Sequence, residues 1–398
     1  MMQEVSVEEV KGQISREVEA LRSRLIEISH EIHAHPELKF EERRAAGLLT
    51  TELEKEGFEV ERRVAGLETA FVATYGSGKP RVAFLAEYDA LPGLGHACGH
   101  NLVAVWALGA GLAIKRALPG LDGAVQVIGT PAEEGGGGKV IMAEAGVFGG
   151  LDAAIFMHPY SATYLDNGAL AMTRYTIEFF GKASHAATGQ EQGISALDAV
   201  LQVFFCVNAM RQMMRPSARI HGNITHGGDA PNIIPQYAAA EFIVRAWEED
   251  YLEELKRRLL NIVAGASQAT GARSKVTRGI SYKSRVPNPA LIEVVRENMV
   301  SLGIEPEAPS EGRRGSSDLG DVSHQVPTLH PYFAICDHGI STHSADFAVA
   351  AASPRADGTV VSATCLLAFT GADVLLRPEV RERARADFRA QTGRDPLG

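Results

Sequence analysis

The sequence of 398 residues predicts an α/β protein with a smaller α+β domain inserted into it. In the first part of the chain, short apolar segments alternate with helical stretches, which is typical of a largely parallel sheet flanked by helices. From about residue 171 the order changes to strand, helix, strand, strand, helix, strand, the pattern of a separate antiparallel α+β unit. The α/β pattern then resumes. We therefore expect a larger domain in two segments, 1–170 and 283–398, and an inserted domain at 171–282.

The N-terminal elements follow from the spacing of apolar residues. Apolar residues three and four positions apart from Val7 to Ile32 predict a long amphipathic helix, which Pro36 ends. A second helix is predicted over Arg43–Glu56, because Gly57 follows it at a position where helices commonly end. Strands are predicted at the apolar runs Arg81–Ala86, Ala124–Gly129 and Ala153–Met157.

Alternating strands and amphipathic helices also define the rest of the chain. The inserted domain is predicted to hold strands at Arg174–Phe180, Arg219–His226 and Tyr237–Ala246, helices at Ile194–Met214 and Glu249–Gln268, and a last strand that is complete by about Ile280. The second segment of the larger domain is predicted to hold a strand near Pro331–Ile335, a helix near Val360–Ala372 and a peripheral helix after Pro378.

Composition excludes several classes of protein. The formal net charge is −10, from 39 basic and 49 acidic residues, which argues against nucleic acids or anionic membranes as partners. The longest apolar run, Leu102–Ile114, is too short to cross a bilayer. No two of the four cysteines form a close pair, so we expect reduced thiols and a cytoplasmic location. The cysteines are Cys98, Cys206, Cys336 and Cys365.

Residue types that bind metals gather where the predicted strands end. Cys98 and His100 lie in a His-Ala-Cys-Gly-His-Asn segment just before an apolar helix, and His158 closes another strand. The carboxyl ends of parallel strands meet at one edge of a sheet, so these side chains are expected to converge. Zinc or manganese needs such deprotonated N, O and S donors within about 2.0–2.3 Å of the ion. The pattern therefore indicates a metal site.

Two adjacent carboxylates, Glu133 and Glu134, are the most informative pair. They follow an apolar strand and precede four glycines, so a solvated acidic turn is not the obvious explanation. Successive residues of an extended strand point to opposite sides, so the two carboxylates are suited to different tasks. One can bind a metal, and the other can take a proton from water as a general base.

Simpler or competing explanations remain open for several residues. Cys98 could instead be a nucleophile with His96 or His100 as its base, but the glutamate pair would then have no role. His33 and His35 resemble a metal pair, but they lie where a helix ends, which favours hydrogen bonding. The glycine run followed by Lys139 fails the phosphate-loop pattern.

These motifs resemble those of the metal-dependent aminoacylases and carboxypeptidases, which include auxin-conjugate hydrolases and p-aminobenzoyl-glutamate hydrolase. The resemblance covers nearly the whole chain, and its closest branch is the aminoacylase-one-like and p-aminobenzoyl-glutamate hydrolase-like proteins. The motifs are H-A-H-P-E-L at 33–38, H-A-C-G-H-N at 96–101, P-A-E-E-G at 131–135, M-H-P at 157–159, G-K-A-S-H-A at 181–186 and N-I-I-P at 232–235.

The resemblance implies a di-metal peptidase-type catalytic domain with an inserted lid domain that often forms homodimers or higher oligomers. Carried onto this chain, it implies that Glu133 is the general base and that Asp89 orients a ligating histidine. His185 and Asn232 match positions that polarise the scissile carbonyl or hold the product carboxylate. Two divalent ions, zinc or manganese, would be bound by Cys98, His100, Glu134, His158 and His343.

The chain departs from relatives of this family at two places. The branch often reads C-G-H-D-x-H, whereas this chain has Asn101 and Val103 in place of the acid and the third histidine. Many relatives also carry a histidine where this chain has Glu87.

From the residues alone, Arg245 after an apolar strand could meet a substrate carboxylate, and a structural ion pair is an equal alternative.

The function expected from these observations is metal-dependent cleavage of the C–N amide bond in dipeptides or in N-acyl or N-aroyl amino acids. One alternative on the same fold is a hydrolase that releases ammonia from an aromatic amine. Another is a catalytically silent binding protein, which the intact set of ligand-type residues argues against.

Overall fold

The computed structural model describes residues 6–308 and 314–396, which fall into two compact units. The first unit comprises the described residues up to Gly168 together with 286–308 and 321–396. The second comprises Ala169–Arg285 and Arg314–Gly320. Residues 1–5, 309–313 and 397–398 of the predicted domain ranges lie outside the described residues.

A six-stranded mixed sheet forms the centre of the first unit. The strand order is β1-β2-β4-β3-β5-β11, in which β3 pairs in parallel with both β4 and β5, and β11 pairs in parallel with β5. Its strands are β1 (Glu59–Arg62), β2 (Phe71–Ser77), β3 (Arg81–Ala86), β4 (Gly123–Gly129), β5 (Ala153–Ile155) and β11 (Thr328–Leu329). A separate two-stranded parallel sheet pairs β6 (His158–Tyr160) with β12 (Tyr332–Ala334).

The edge strand β1 and its neighbour β2 were not predicted from the sequence. They pair antiparallel with each other, and β2 pairs antiparallel with β4. The sequence of β1 is entirely polar apart from Val60, and its residues are mostly exposed. An apolar-run criterion finds strands that are buried on both faces, such as β3 and β4, and misses strands that are exposed along part or most of their length, such as β2 and β1.

The helices of the first unit pack against this sheet or against one another. α1 begins with a capping box, in which the Ser6 hydroxyl and the Glu9 carboxylate each accept a main-chain N–H from the other residue. The helices are α1 (Val7–Ala34), α2 (Arg43–Lys55), α3 (His100–Ala117), α4 (Gly138–Glu144), α7 (Pro289–Ser301), α8 (Leu319–Ser323), α9 (Ala345–Ala350), α10 (Pro354–Leu376) and α11 (Pro378–Thr392), of which α8 spans the boundary between the two units.

The core of the first unit lies where α1, α3 and α10 pack together. Trp106 of α3 is fully buried there. Among the described residues, α10 is the helix long and apolar enough to cross a membrane by length and composition, and 83% of its most apolar stretch is buried inside the protein. Burial of this extent is typical of a helix in the core of a folded domain.

The second unit is a four-stranded antiparallel sheet with two helices on one face. The strand order is β10-β7-β9-β8, which leaves β8 and β10 at the edges. The two helices contribute their apolar sides to a second core, separate from that of the first unit. The elements are β7 (Ala171–Phe180), α5 (Ala196–Arg211), β8 (Arg219–His226), β9 (Tyr237–Ala246), α6 (Glu249–Thr270) and β10 (Arg273–Tyr282).

Candidate metal centre

The backbone of the first unit brings two of the predicted segments to the carboxyl ends of its strands. Asp89 follows β3, and the Glu133-Glu134 pair follows β4. The N–H and hydroxyl of Thr130 both donate to the carbonyl of Ala86, at 2.8 and 3.0 Å, which ties the ends of the two strands together. The two loops therefore start from a common point.

A tight turn at Gly99 directs Cys98 and His100 into the same site. Gly99 has a φ of 76°, in the left-handed region that glycine adopts most readily. A Cβ at this position would lie 2.6 Å from Cγ of Pro159, so only glycine fits against the next strand. α3 begins at His100, directly after the turn.

Four of the five predicted ligands make a chain of close contacts. Sγ of Cys98 lies 3.4 Å from Nε2 of His158 and 3.4 Å from Nε2 of His343. Nε2 of His343 also lies 3.1 Å from Oε1 of Glu134. His343 is placed by its own main chain, because its N–H donates to the carbonyl of Ala97 at 2.8 Å.

The fifth predicted ligand, His100, is oriented by Asp89. Nδ1 of His100 lies 3.0 Å from Oδ1 of Asp89 and 2.9 Å from the Asp89 carbonyl oxygen. The other carboxylate oxygen of Asp89 accepts the main-chain N–H of Glu134 at 2.8 Å. One buried carboxylate therefore fixes a histidine ring and the backbone of the glutamate pair.

The charges at the centre depend on burial and on neighbouring groups. Burial lowers the pKa of His158 to about 3, so its ring is neutral and its ring nitrogen can bind a metal. Burial opposes ionisation of Glu134, but the hydrogen bond with His343 lowers the pKa of Glu134 and raises that of His343. Although burial also opposes a charge on His100, the Asp89 carboxylate raises the pKa of its ring well above the usual value.

The donor atoms suit divalent metal ions. Ligand atoms of Cys98, His100 and His158 lie within 4.8 Å of one another, and so do those of Cys98, Glu134 and His343. Cys98 belongs to both groups, as expected for a residue shared by two ions. Burial raises the pKa of its thiol well above the usual value, which disfavours a free thiolate nucleophile. A bound metal ion reverses this preference, because a coordinating thiol is deprotonated.

Glu133 lies beside the same ligands. One of its carboxylate oxygens is within 4.8 Å of ligand atoms of both His100 and Glu134. That distance is short enough for one water molecule to hydrogen-bond across it, given hydrogen bonds of about 2.8 Å. The predicted general base is therefore near the predicted ligands.

Sequence reasoning missed a buried ion pair at this centre. Nζ of Lys139 lies 2.5 Å from Oε1 of Glu87, and both side chains are almost fully buried. The other carboxylate oxygen of Glu87 lies 3.1 Å from Nε2 of His100. In the sequence, Lys139 stands out only as the residue after a glycine run. Glu87 stands where many relatives carry a histidine. A buried acid at that position needs a nearby cation to balance its charge, and this was the sequence signal for a partner such as Lys139.

A further histidine also went unassigned. The ring of His330 stacks on that of His158 with 6.0 Å between centroids and 6° between planes. In contrast, His33 and His35 hydrogen-bond to main-chain carbonyls, as the sequence favoured: Nε2 of His33 to Ala348 at 2.8 Å and Nδ1 of His35 to Glu31 at 2.9 Å.

The remaining predicted site residues lie in the second unit. His185 and Asn232 are on neighbouring segments, because the N–H of Ala186 donates to the Asn232 carbonyl at 3.0 Å. Nδ1 of His185 accepts the N–H of Ala187 at 3.2 Å, so the proton of the neutral ring is on Nε2. Arg245 donates to the Ser316 hydroxyl at 2.7 Å, and within residues 6–308 and 314–396 it forms no ion pair.

Comparisons with known proteins agree with this chemistry. A model of peptidase family M20/M25/M40 matches residues 83–358. The chain is 37% identical to the Xaa-Arg dipeptidase of Mus musculus over 98% of its length and 95% of the relative. It is 35% identical to one subunit of the p-aminobenzoyl-glutamate hydrolase of Escherichia coli, over 77% of its length and 68% of the relative.

Solved structures share the fold. The Bacillus subtilis YXEP protein, a dinuclear metal binding peptidase from the M20 family, superposes with a TM-score of 0.70 at 22% identity, covering 90% of this chain and 99% of that chain. The predicted fold class is confirmed, and so is the predicted class of enzyme: a metal-dependent hydrolase of amide bonds in dipeptides or N-acyl amino acids. The chain belongs to peptidase family M20/M25/M40.

Proposed function

We propose that this enzyme is a dipeptidase in which Glu133 is the general base. The observation that carries the assignment is the position of the Glu133 carboxylate, which lies within 4.8 Å of ligand atoms of His100 and Glu134, a distance that one water molecule can bridge. Similarity over nearly the whole length of an Xaa-Arg dipeptidase supports a dipeptide as substrate. N-aroyl amino acids are the second candidate, supported by the similarity to a p-aminobenzoyl-glutamate hydrolase.

Two divalent ions would be held by Cys98, His100, Glu134, His158 and His343. When bound, they would supply Lewis acidity and lower the pKa of water. The thiolate and imidazole donors favour zinc, and a carboxylate donor also accommodates manganese.

The protein's own groups carry the proton. Glu133 takes a proton from the water that attacks the scissile carbonyl, and then delivers it to the nitrogen of the leaving amine. His185 is suited to donate a hydrogen bond to the carbonyl oxygen through Nε2–H, because its Nδ1 is occupied by a main-chain N–H. Asn232 and Arg245 are assigned to substrate binding, with the Arg245 guanidinium holding a carboxylate.

The test is to replace Glu133 with its isosteric amide. Glu133→Gln is expected to lower kcat by about 10²–10⁴-fold, the usual contribution of a general base, with two metal ions still bound. Glu134→Ala and His158→Ala are expected to lower the bound metal. Glu144→Gln, an exposed residue of α4, is the matched control. Full turnover by Glu133→Gln would exclude it as the base.

A metal-loaded substrate screen separates the reactions that this fold could catalyse. Dipeptides with basic and neutral C-terminal residues, N-acetyl and N-benzoyl amino acids, and aromatic amines should be tested together. Release of ammonia from an aromatic amine, without amide cleavage, would favour a deaminase. Absence of any turnover with both metals bound would favour a silent binding protein.

We also propose that two copies of the chain associate through β8, in the cytoplasm. β8 is an edge strand with mostly exposed residues, and the second unit also exposes apolar side chains: Phe205 at 72%, Met213 at 73% and Ile224 at 41%. The opposite edge, β10, carries several cationic side chains, which protect an edge from pairing. The free state of all four cysteines supports the cytoplasmic location.

The oligomeric state tests this surface. Phe205→Glu and Ile224→Lys are expected to convert a dimer into a monomer in light-scattering measurements of mass. Val349→Glu, at a residue of the first unit that is also 73% exposed, should leave the mass unchanged. A wild-type monomer at micromolar concentration would contradict the proposal.

A further inference from the structure

Glu42 occupies the N-cap position of α2 but does not cap it. An N-cap side chain normally accepts a hydrogen bond from the first turn of its own helix, and Glu42 makes no such bond. The task is performed by Glu37, whose two carboxylate oxygens accept the N–H groups of Arg44 and Ala45, each at 2.9 Å. The carboxylate of Glu42 is therefore free to point elsewhere.

That carboxylate is fully buried and is hydrogen-bonded on both oxygens. Oε1 accepts the N–H of Phe40 and the N–H of Ala132, each at 2.9 Å, and Oε2 accepts the hydroxyl of Thr69 at 2.7 Å. An acid is rarely buried this completely unless it is held in this way. Of the three donors, Ala132 is the one next to a residue of the proposed mechanism.

The Ala132 contact lies immediately before the proposed base. Ala132 has a φ of 60°, a conformation that residues other than glycine rarely adopt, so it needs support from its surroundings. On the other side of Glu133, the N–H of Glu134 donates to Oδ2 of Asp89. The backbone on both sides of Glu133 is thus held by a buried carboxylate.

The glycines that follow keep the turn compact. A Cβ at Gly136 would lie 2.5 Å from the Cβ of Ala132, and a Cβ at Gly138 would lie 1.8 Å from the carbonyl oxygen of Pro131. The N–H of Gly136 also donates to the Ala132 carbonyl at 3.1 Å. The turn is therefore close-packed, and Glu42 adds a hydrogen bond to it from a distant part of the chain.

We propose that Glu42 is a positioning residue for Glu133: by holding the Ala132 N–H, it fixes the direction in which the Glu133 carboxylate enters the metal centre. The inference rests on the proposed role of Glu133 as the base. A misplacement of about 1 Å in a reacting group costs on the order of 10²-fold in rate. A residue that acts in this way should change kcat and leave the affinity for substrate and metal nearly unchanged.

Three substitutions test the proposal. Glu42→Ala removes the acceptor of the Ala132 N–H. Glu42→Gln keeps one carbonyl oxygen that can accept both main-chain N–H groups, while its amide can donate to the Thr69 hydroxyl. Glu37→Ala is the matched control, because it removes the cap of the same helix without a contact to the turn at Ala132.

Each variant, loaded with metal, is assayed for kcat, KM and metal content, and for amide hydrogen exchange of residues 130–137. For Glu42→Ala we expect kcat to fall about 10- to 100-fold, with KM within about twofold and metal content unchanged. The Ala132 amide should exchange at least about tenfold faster. Glu42→Gln should recover most of kcat, and Glu37→Ala should retain it.

The outcomes separate this inference from the proposed function. If the wild type hydrolyses no amide, the proposed function fails, while hydrogen exchange still reports whether Glu42 holds the turn. Unchanged exchange at Ala132 in Glu42→Ala, or faster exchange with full kcat, would overturn the positioning role. If Glu42→Ala does not fold, Glu42→Asp provides the same test, since its shorter side chain withdraws the carboxylate from Ala132.

Discussion

Replacing Asp89 with asparagine should weaken metal binding by an amount that follows from its contacts. Asp89 accepts from His100 Nδ1 at 3.0 Å and from the N–H of Glu134 at 2.8 Å, one bond on each carboxylate oxygen. Asparagine has one oxygen, so its amide group must face one of these two donors. Losing one charge-assisted hydrogen bond in a buried site costs about 1.5–3 kcal/mol. At 1.4 kcal/mol per factor of ten, the metal dissociation constant should rise about 10- to 150-fold.

The assay is competition between the metal-free protein and a chromophoric chelator. Asp152→Asn is the matched control, because Asp152 is also a buried carboxylate that accepts a main-chain N–H, from Arg81 at 2.8 Å, and pairs with Arg385 at 3.1 Å. A dissociation constant for Asp89→Asn within about threefold of the wild type would refute the reasoning. So would an equal loss of affinity in Asp152→Asn.

Three further measurements test the same structure. Metal binding should release protons and weaken as the pH falls, because burial raises the pKa of the Cys98 thiol and the thiol must lose its proton to bind a metal ion. Calorimetry in buffers of different ionisation enthalpy measures the number of protons released. Burial lowers the pKa of His96 from 6.5 to about 3, so the unfolded chain binds a proton that the native state does not. The contribution of His96 to the free energy of unfolding is fully present above pH 6.5, and up to about 5 kcal/mol of it is lost as the pH falls toward 3. His96→Gln should therefore make the pH dependence of urea unfolding shallower. Gly99→Ala should cost about 2–4 kcal/mol in urea unfolding of the metal-free protein, from the φ of 76° and the contact with Pro159; Gly57→Ala, with a φ of 78° and open space around it, should cost only about 1–2 kcal/mol.

The sequence was sufficient to predict much of the first unit's centre. The resemblance to a known family implied Cys98, Glu134, His158 and His343 as ligands, and the structure brings these four side chains together. Convergence of the first three was also expected from their residue types and their positions near the ends of predicted strands. Parallel strands make this inference possible, because their carboxyl ends meet at one edge whatever lies between them in the chain. The strand Arg81–Ala86 was predicted with the bounds that the structure has.

Contacts that depend on tertiary packing could not be predicted in the same way. Glu42 and Lys139 are an acid and a base, residue types for which solvent exposure is the ordinary expectation. Their burial results from partners distant in the chain, Ala132 for one and Glu87 for the other. The positive φ of Ala132 is equally hidden, since alanine carries no sequence signal for that conformation.

The packing of α10 against α1 and α3 has a consequence for how the polypeptide matures. α3 ends at Ala117 and α10 begins at Pro354, so the two helices that form one core are synthesised far apart in time. Until α10 leaves the ribosome, the apolar surfaces of α1 and α3 that contact α10 have no cover and remain available for aggregation or chaperone binding. Folding of the first unit is therefore completed only late in synthesis, and truncation before α10 should yield an insoluble chain.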